Sequence, residues 1–354
     1  MKTEAKILIC YNAPVSIFSV YNGKPFIGNN TGDDLSEKSF LKELNTIQKR
    51  LKKYYTRVET LTVDRNVQKI INTINSYSPD VIFNFVESVE GIASYEYCMA
   101  GIYELLGYEY TGCDPVSLGN CLNKARTKDI LNALGIRTPN YLQLKPNARF
   151  TQKDITLNYP IILKLMSEDA SIGISEYSVV NNYTGLRKQF VFLSNTYNEE
   201  IILEEYIQGR ELNIAVLGDK VLPVSEIDFS GLPLDLPKIV TYDGKWIENS
   251  LYYNHTKPVC PANINVQTQK RINNIAIKAF KALTCRDYTR VDIRLDKRGI
   301  PYVIEVNPNP DISTDSGFVR AAKAAGINHS ELLYTIANFA LERKRKYDTQ
   351  NKAV

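Results

Sequence analysis

Residues 288–316, YTRVDIRLDKRGIPYVIEVNPNPDISTDS, constrain this chain more than any other stretch. Apolar and polar residues alternate on both sides of Asp296-Lys297-Arg298-Gly299, the pattern of a β-hairpin closed by a short turn. Residues two apart on a strand share a face. Arg290, Asp292, Glu305 and Asn307 therefore fall together, and Val291, Ile293, Ile304 and Val306 take the apolar positions. Pairing Asp296 with Pro301 sets Asp292 opposite Glu305 and Arg290 opposite Asn307. Cross-strand partners lie about 5 Å apart between Cβ atoms. Two carboxylates that close repel unless a cation lies between them, and hard oxygen donors suit Mg²⁺. The hairpin is a candidate metal platform.

The rest of the chain bounds what such a platform can serve. At 354 residues it exceeds a single small core, and two or three subdomains are expected. A net charge of +4 spread over this length lacks the concentrated basic face of a nucleic-acid binder. The dense basic run Arg343-Lys344-Arg345-Lys346 reads as a solvated helix end. Six cysteines without CxxC spacing and only two histidines argue against a zinc site. The first residues, MKTEAKILICYNAP, have too short an apolar run for a signal peptide, and no segment reaches the roughly 18 apolar residues of a membrane span. Reducing cytoplasm is the expected compartment, with the cysteines as thiols.

The first 120 residues alternate strand and helix. Strands are expected at 7–10, 58–63 and 80–85. Helices are expected through Leu41, Leu44, Ile47, Leu51 and Tyr54/Tyr55, through Val67, Ile70, Ile71 and Ile74, and over 95–106 ahead of Gly107. That order predicts a parallel α/β domain. The polar stretch 28–37 reads as a long loop. Beyond residue 122 the texture becomes α+β. A helix is expected over 127–134, strands at 161–165, 201–206, 212–217 and 221–227, and helices near 184–193, over 267–283 and over 330–345. Residues 228–261 read as irregular.

Two further segments carry polar groups suited to phosphates and sugars. Lys164 ends an apolar strand and is followed by the small-residue loop 167–173, where backbone N–H groups and an ammonium can meet phosphate oxygens. The chain contains neither GxxxxGK[ST] nor GxGxxG, and a surface loop is the alternative reading. Glu204 and Glu211 flank the turn in LEEYIQGRE and could accept hydrogen bonds from an adenosine amine and ribose; exposed strand-end acids are the plain alternative.

In the order Lys124, Lys164, Glu204/Glu211 and the carboxylate hairpin, the chain resembles the ATP-grasp superfamily, in its D-alanine–D-alanine ligase-like branch. NKARTK (123–128), YPIILKL with its loop (159–173), ILEEYIQGRELNIAVLG (202–218) and RVDIRLDKRGIPYVIEVNPNPDIS (290–313) carry the likeness, which spans roughly 80–340. The resemblance implies an ATP-grasp fold of mixed α/β and α+β character. Its expected parts are an N-terminal domain (1–120), a central subdomain (121–212), a C-terminal subdomain with the metal site (213–346) and a tail (347–354). It also implies two Mg²⁺ ions, with Mn²⁺ an acceptable substitute, on Asp292, Glu305 and Asn307. ATP phosphates would meet Lys124 and Lys164, adenine Glu204 and Ile207, and ribose Glu211. Arg290 would support the acyl phosphate and Lys245 would reach the γ-phosphate. Ser171 and Ser316 are weaker matches to substrate-contacting serines. The implied reaction joins small-molecule carboxylate and amine substrates, and the resemblance suggests a homodimer.

The amino-acid end departs from this pattern. Such ligases carry a GGxSxE-type segment after the first strand, whereas CYNAPVSIF (10–18) has no acid. Glu37, Glu87, Glu90 and Glu96 are the candidates to replace it. Asp311 stands where the ligases have glycine, and Ala170 where they have serine. The expected activity is therefore ATP-dependent carboxylate–amine ligation on a pair other than D-alanine with D-alanine. D-alanine–D-alanine ligation and a non-ligating ATP sensor are the alternatives.

Overall fold

A computed structural model describes residues 2–25 and 34–351. In the N-terminal part β1 (Thr3–Asn12), β2 (Tyr55–Val63) and β3 (Val81–Phe85) form a parallel sheet in the order β2-β1-β3, crossed by α1 (Leu35–Leu51) and α2 (Val67–Tyr77). Ile7, Leu8, Ile9 and Cys10 are all buried, as a parallel strand covered on both faces requires. Leu8 and Cys10 share a core with Ile70, Ile74, Met99 and Tyr103, while Ile7 and Ile9 share another with Ile47, Leu51, Leu333 and Ile336. Helices α3 (Tyr95–Leu105), α4 (Pro115–Leu122) and α5 (Lys124–Ala133) follow.

The remaining strands make two antiparallel sheets. β4 (Tyr141–Leu144), β5 (Ile161–Leu165), β6 (Val179–Val180) and β7 (Ile201–Glu205) are ordered β4-β7-β5-β6, and α6 (Tyr183–Tyr197) buries Leu186, Phe190 and Leu193 in the same core as β5 and β7. β8 (Gly209–Leu217), β9 (Lys220–Val221), β10 (Ser225–Asp228), β11 (Lys257–Val259), β12 (Tyr288–Asp296) and β13 (Pro301–Asn307) form the larger sheet, ordered β11-β10-β8-β12-β13 with β9 on β8. Helices α7 (Tyr242–Trp246), α8 (Leu251–His255), α9 (Val266–Ala282), α10 (Gly317–Ala324) and α11 (His329–Asn351) complete the fold.

The hairpin forms, with one correction. Arg290 pairs Asn307 and Asp292 pairs Glu305, but Ile293 pairs Val303 and Leu295, not Asp296, pairs Pro301. The extra residue is Ile304, a β-bulge. It turns Val303 and Val306 into the core and puts Ile304 on the cleft wall rather than on the apolar face. The expected strand 221–227 is broken at Pro223, which has no N–H to give a ladder. The region read as irregular holds α7, α8 and β11, with Thr241 and Ser250 capping the two short helices. Tyr55 opens β2 instead of closing α1, because the chain turns over residues 52–54. The expected loop 28–37 lies outside the described residues up to 33, and Asp34 then caps α1, accepting from the N–H groups of Ser36 and Glu37. No described helix is long and apolar enough to cross a membrane.

Candidate active site

A cleft of about 850 Å³ opens where the three sheets meet. Its walls come from β5, the 168–174 loop, β8, β12, β13 and the segments that follow β1 and β3. Ligands of open α/β sheets sit at such carboxyl ends of strands. Every site residue expected from sequence lines it except Glu90, one of the four candidates for the missing acid.

The larger sheet builds the floor. Ser225, Asn213, Asp292 and Glu305 are successive cross-strand partners on β10, β8, β12 and β13, so they form one row on one face. Arg290 grips Asp292 twice, Nε to Oδ1 at 2.8 Å and Nη2 to Oδ2 at 2.9 Å. Asn213 donates to Oδ1 at 2.7 Å and Asn307 to Oδ2 at 3.1 Å. Lys124, nine-tenths buried at the start of α5, lies 3.3 Å from both Glu305 and Asp169 and donates to the Glu168 carbonyl at 2.6 Å. Burial would raise the Glu305 carboxyl, but Lys124, Lys164 and Arg290 outweigh it and hold it at about 2. Burial also lowers the Lys245 ammonium, helped by the Arg290 charge. Four cations thus converge on two carboxylates.

Two partners escaped sequence reading. Glu204 is almost fully buried between Lys164 and Lys128, each 3.0 Å from one of its oxygens. The Lys128 contact is off the line a hydrogen bond needs and acts as charge on charge; its ammonium donates instead to the carbonyl of the bulged Ile304 at 2.9 Å. Both Glu204 oxygens are therefore engaged. Glu211 is bound by Arg294 at 2.5 Å, and Arg294 also donates to the Ile207 carbonyl at 3.2 Å and lies over the Tyr206 ring. Lys128 sits one turn after Lys124, and Arg294 two residues after Asp292. Both spacings were visible in the sequence.

Loops close over this floor. Ser171, at φ +63°, donates through Oγ to the Val240 carbonyl at 3.0 Å, and Trp246 Nε1 donates to the Ala170 carbonyl at 3.0 Å. These contacts tie the small-residue loop to the segment carrying Lys245.

The far end is acidic. Glu37 Oε2 accepts from the Val15 N–H at 2.9 Å, and Oε1 accepts from Asn12 at 2.8 Å and Ser88 at 2.5 Å. The structure thus puts a carboxylate against the acid-free segment after β1. Asn309 clips Glu96 in place, donating to it at 3.0 Å while accepting from the Cys113 N–H at 3.1 Å. Gly112, at φ +90°, permits the clip, because a Cβ there would lie 2.1 Å from Asn309 Oδ1. Asp311 accepts from the Ser313 N–H and hydroxyl, both at 2.8 Å, with its carboxylate in the cleft. Ser316 caps α10, accepting from the Val319 N–H at 3.3 Å. The Glu87 N–H donates to Asn12 Oδ1 at 3.0 Å, but its carboxyl accepts no hydrogen bond among the described residues; burial by the surrounding protein, with Asp311 and Glu37, pushes it up to about 8. Burial and Glu87 raise Glu96 well above the carboxylate range. Glu90 is out of the site, exposed and paired with Arg65 at 2.7 Å.

Among the described residues no three His, Cys, Asp or Glu side chains converge into a metal cage. Asp292, Glu305 and the free Oδ1 of Asn307 nonetheless fit Mg²⁺, which takes one or two carboxylates and completes its shell with phosphate and water.

A family model described as "D-ala D-ala ligase C-terminus" matches residues 130–338, more than half of the chain. The chain belongs to the D-alanine–D-alanine ligase family. It is an ATP-grasp, ADP-forming carbon–nitrogen ligase, and the family works with ATP and a divalent metal. The chain is 31% identical to a D-alanine–D-alanine ligase of Nitrosospira multiformis over 68% of this chain and 74% of that protein. It is also 31% identical to the uncharacterized protein y4sG of Sinorhizobium fredii over 74% and 75%. The crystal structure of the Bacillus anthracis ligase complexed with ATP superposes with a TM-score of 0.73 at 23% identity, covering 98% of this chain and 100% of that one. That likeness establishes the ATP-grasp fold.

Proposed function

We propose that this ligase joins the carboxylate of one amino-acid-like substrate to the amine of another through an acyl phosphate, and that its pair is other than D-alanine with D-alanine. The observation that carries the reading is the polarity of the cleft. Lys124, Lys245 and Arg290 surround the carboxylate row at one end, and Glu37, Glu87, Glu96 and Asp311 line the other.

A carboxylate attacking a γ-phosphate meets a highly anionic group, so catalysis is charge neutralisation and alignment. Lys124 and Lys164 would hold phosphate oxygens, and Lys245 would cover the γ-phosphate from above. Arg290, on the rigid β12, would turn from Asp292 to the acyl phosphate and to the oxyanion formed when the amine attacks. Two Mg²⁺ ions held by Asp292, Glu305 and Asn307 would supply the remaining positive charge on the phosphates. The Ser171–Val240 and Trp246–Ala170 contacts would keep water from the acyl phosphate. Ribose would meet Glu211 and adenine the strand edge at Ile207. Glu37, Glu87 and Glu96 would receive substrate ammonium groups, with Asp311 and Ser316 at the acceptor.

A second reading, D-alanine–D-alanine ligation, is favoured by the names of the relatives. ADP formation across a panel of acids and amines, with product mass measured, separates the two. Dipeptide from D-alanine alone at the highest kcat/KM would overturn the proposed pair. ATP binding without turnover on any acid would leave a nucleotide sensor.

A further inference from the structure

We propose that Asn213 is a positioning residue for the metal site, holding the Asp292 carboxylate so that its Oδ2 faces the metal. The inference rests on the functional reading above and concerns a residue outside the expected metal ligands. Asp292 accepts four hydrogen bonds, two from Arg290 and one each from Asn213 and Asn307. A carboxylate is acceptor-only, so the Asn213 amide must present its NH₂ there, and its orientation is fixed by chemistry.

Only one of the four donors is free of another task. In the proposed reaction Arg290 is required at the acyl phosphate, and Asn307 would give its amide oxygen to the metal. When both turn to their ligands, Asp292 keeps only the Asn213 bond on Oδ1, at 2.7 Å. That leaves Oδ2 as the ligating oxygen.

The support is rigid. Asn213 sits on β8, hydrogen-bonded between β10 and β12, with Leu212 and Ile214 fully buried on either side. Without the amide, only Asn307 would oppose Arg290, and the bidentate Arg290–Asp292 pair would draw the carboxylate away from the metal. Groups that orient metal ligands by hydrogen bonding change metal affinity by about 10–100-fold when removed.

The test measures binding, not turnover. Fluorescent ADP is titrated onto the full chain at increasing Mg²⁺, and the Mn²⁺–ADP complex is followed by electron paramagnetic resonance. Asn213→Leu keeps the volume without the donor, and Asn213→Ala removes both; thermal melting reports folding. In each variant the half-saturating Mg²⁺ should rise about tenfold or more, while metal-free ADP affinity stays within about twofold of the parent, the spread of ordinary surface changes. An unchanged Mg²⁺ requirement, or an equal loss with and without metal, overturns the positioning role. A parent protein whose ADP binding ignores Mg²⁺ would instead sink the functional reading itself.

Discussion

Lys128→Met tests whether the proposed phosphate end stands on its buried charges. The Lys128 ammonium lies 3.0 Å from Glu204 and 2.9 Å from the Ile304 carbonyl, and both Lys128 and Glu204 are 1% exposed. With an effective dielectric constant of about 20, the pair attracts by about 5.5 kcal/mol. Desolvating the lysine costs several kcal/mol against this, and removing one member of a buried pair costs about 3–5 kcal/mol. Glu204 keeps Lys164 at 3.0 Å, which argues for the lower part of that range, so the expected loss is about 3 kcal/mol. Lys164 is then drawn onto Glu204 alone, and ADP affinity should fall about tenfold, the equivalent of about 1.4 kcal/mol. Urea denaturation with and without ADP measures both. The double variant Lys128→Met/Glu204→Leu should cost less than the two singles added, because no uncompensated carboxylate remains. A single variant costing under about 1 kcal/mol, or strictly additive losses, refutes the reasoning.

Glu305→Gln should lower turnover at least about 100-fold with an unchanged circular dichroism spectrum, since it removes a proposed metal ligand and one carboxylate partner of Lys124; near-normal ADP release would refute the metal assignment. Asp311→Gly should change the ranking of amine substrates by kcat/KM while the ATP KM stays within about threefold. If neither moves, Asp311 serves only the turn it caps at Ser313. Glu87 is neutral below about 8 in the folded protein and ionises above it, so amine affinity should improve from pH 6 to pH 8. Glu87→Gln should flatten that profile in an amine titration. Because its folded value is raised, Glu87 binds a proton on folding between the ordinary carboxylate range and about 8, and its contribution to stability falls as pH rises through that window.

What could be read in the sequence was what depends on local periodicity. The Asp292–Glu305 and Arg290–Asn307 pairs followed from alternation, because each strand carries its polar residues at spacing two. The bulge was hidden, since Val303-Ile304 offers two apolar residues with nothing to say which turns inward. Burial on β13 settles it: Val303 and Val306, three apart, both reach the core, so one residue between them must be extra. Asn213 was similarly legible only in part. Its place two residues after Glu211 puts it on the same face, but its partner on β12 is 79 residues away. Which of the four candidate acids stands against the acid-free segment was beyond local rules altogether. Glu37 meets Val15 and Ser88 only after α1 and β3 have packed on β1.

The bulge links the two halves of the cleft. Had the hairpin kept one register throughout, Ile304 would face the core with Val306, while the Asp292–Glu305 pair would be unchanged. Lys128 donates to the carbonyl of the bulged Ile304 and reaches Glu204 on the other sheet. Lys164 is then anchored to the same carboxylate. A chain of contacts therefore runs from the strand bearing Glu305, through α5, to the strand bearing Lys164, and it fixes how far the proposed metal ligands stand from the proposed phosphate lysines. Removing Lys128 loosens that spacing without touching either end, so its effect should fall on nucleotide affinity and on the metal requirement together.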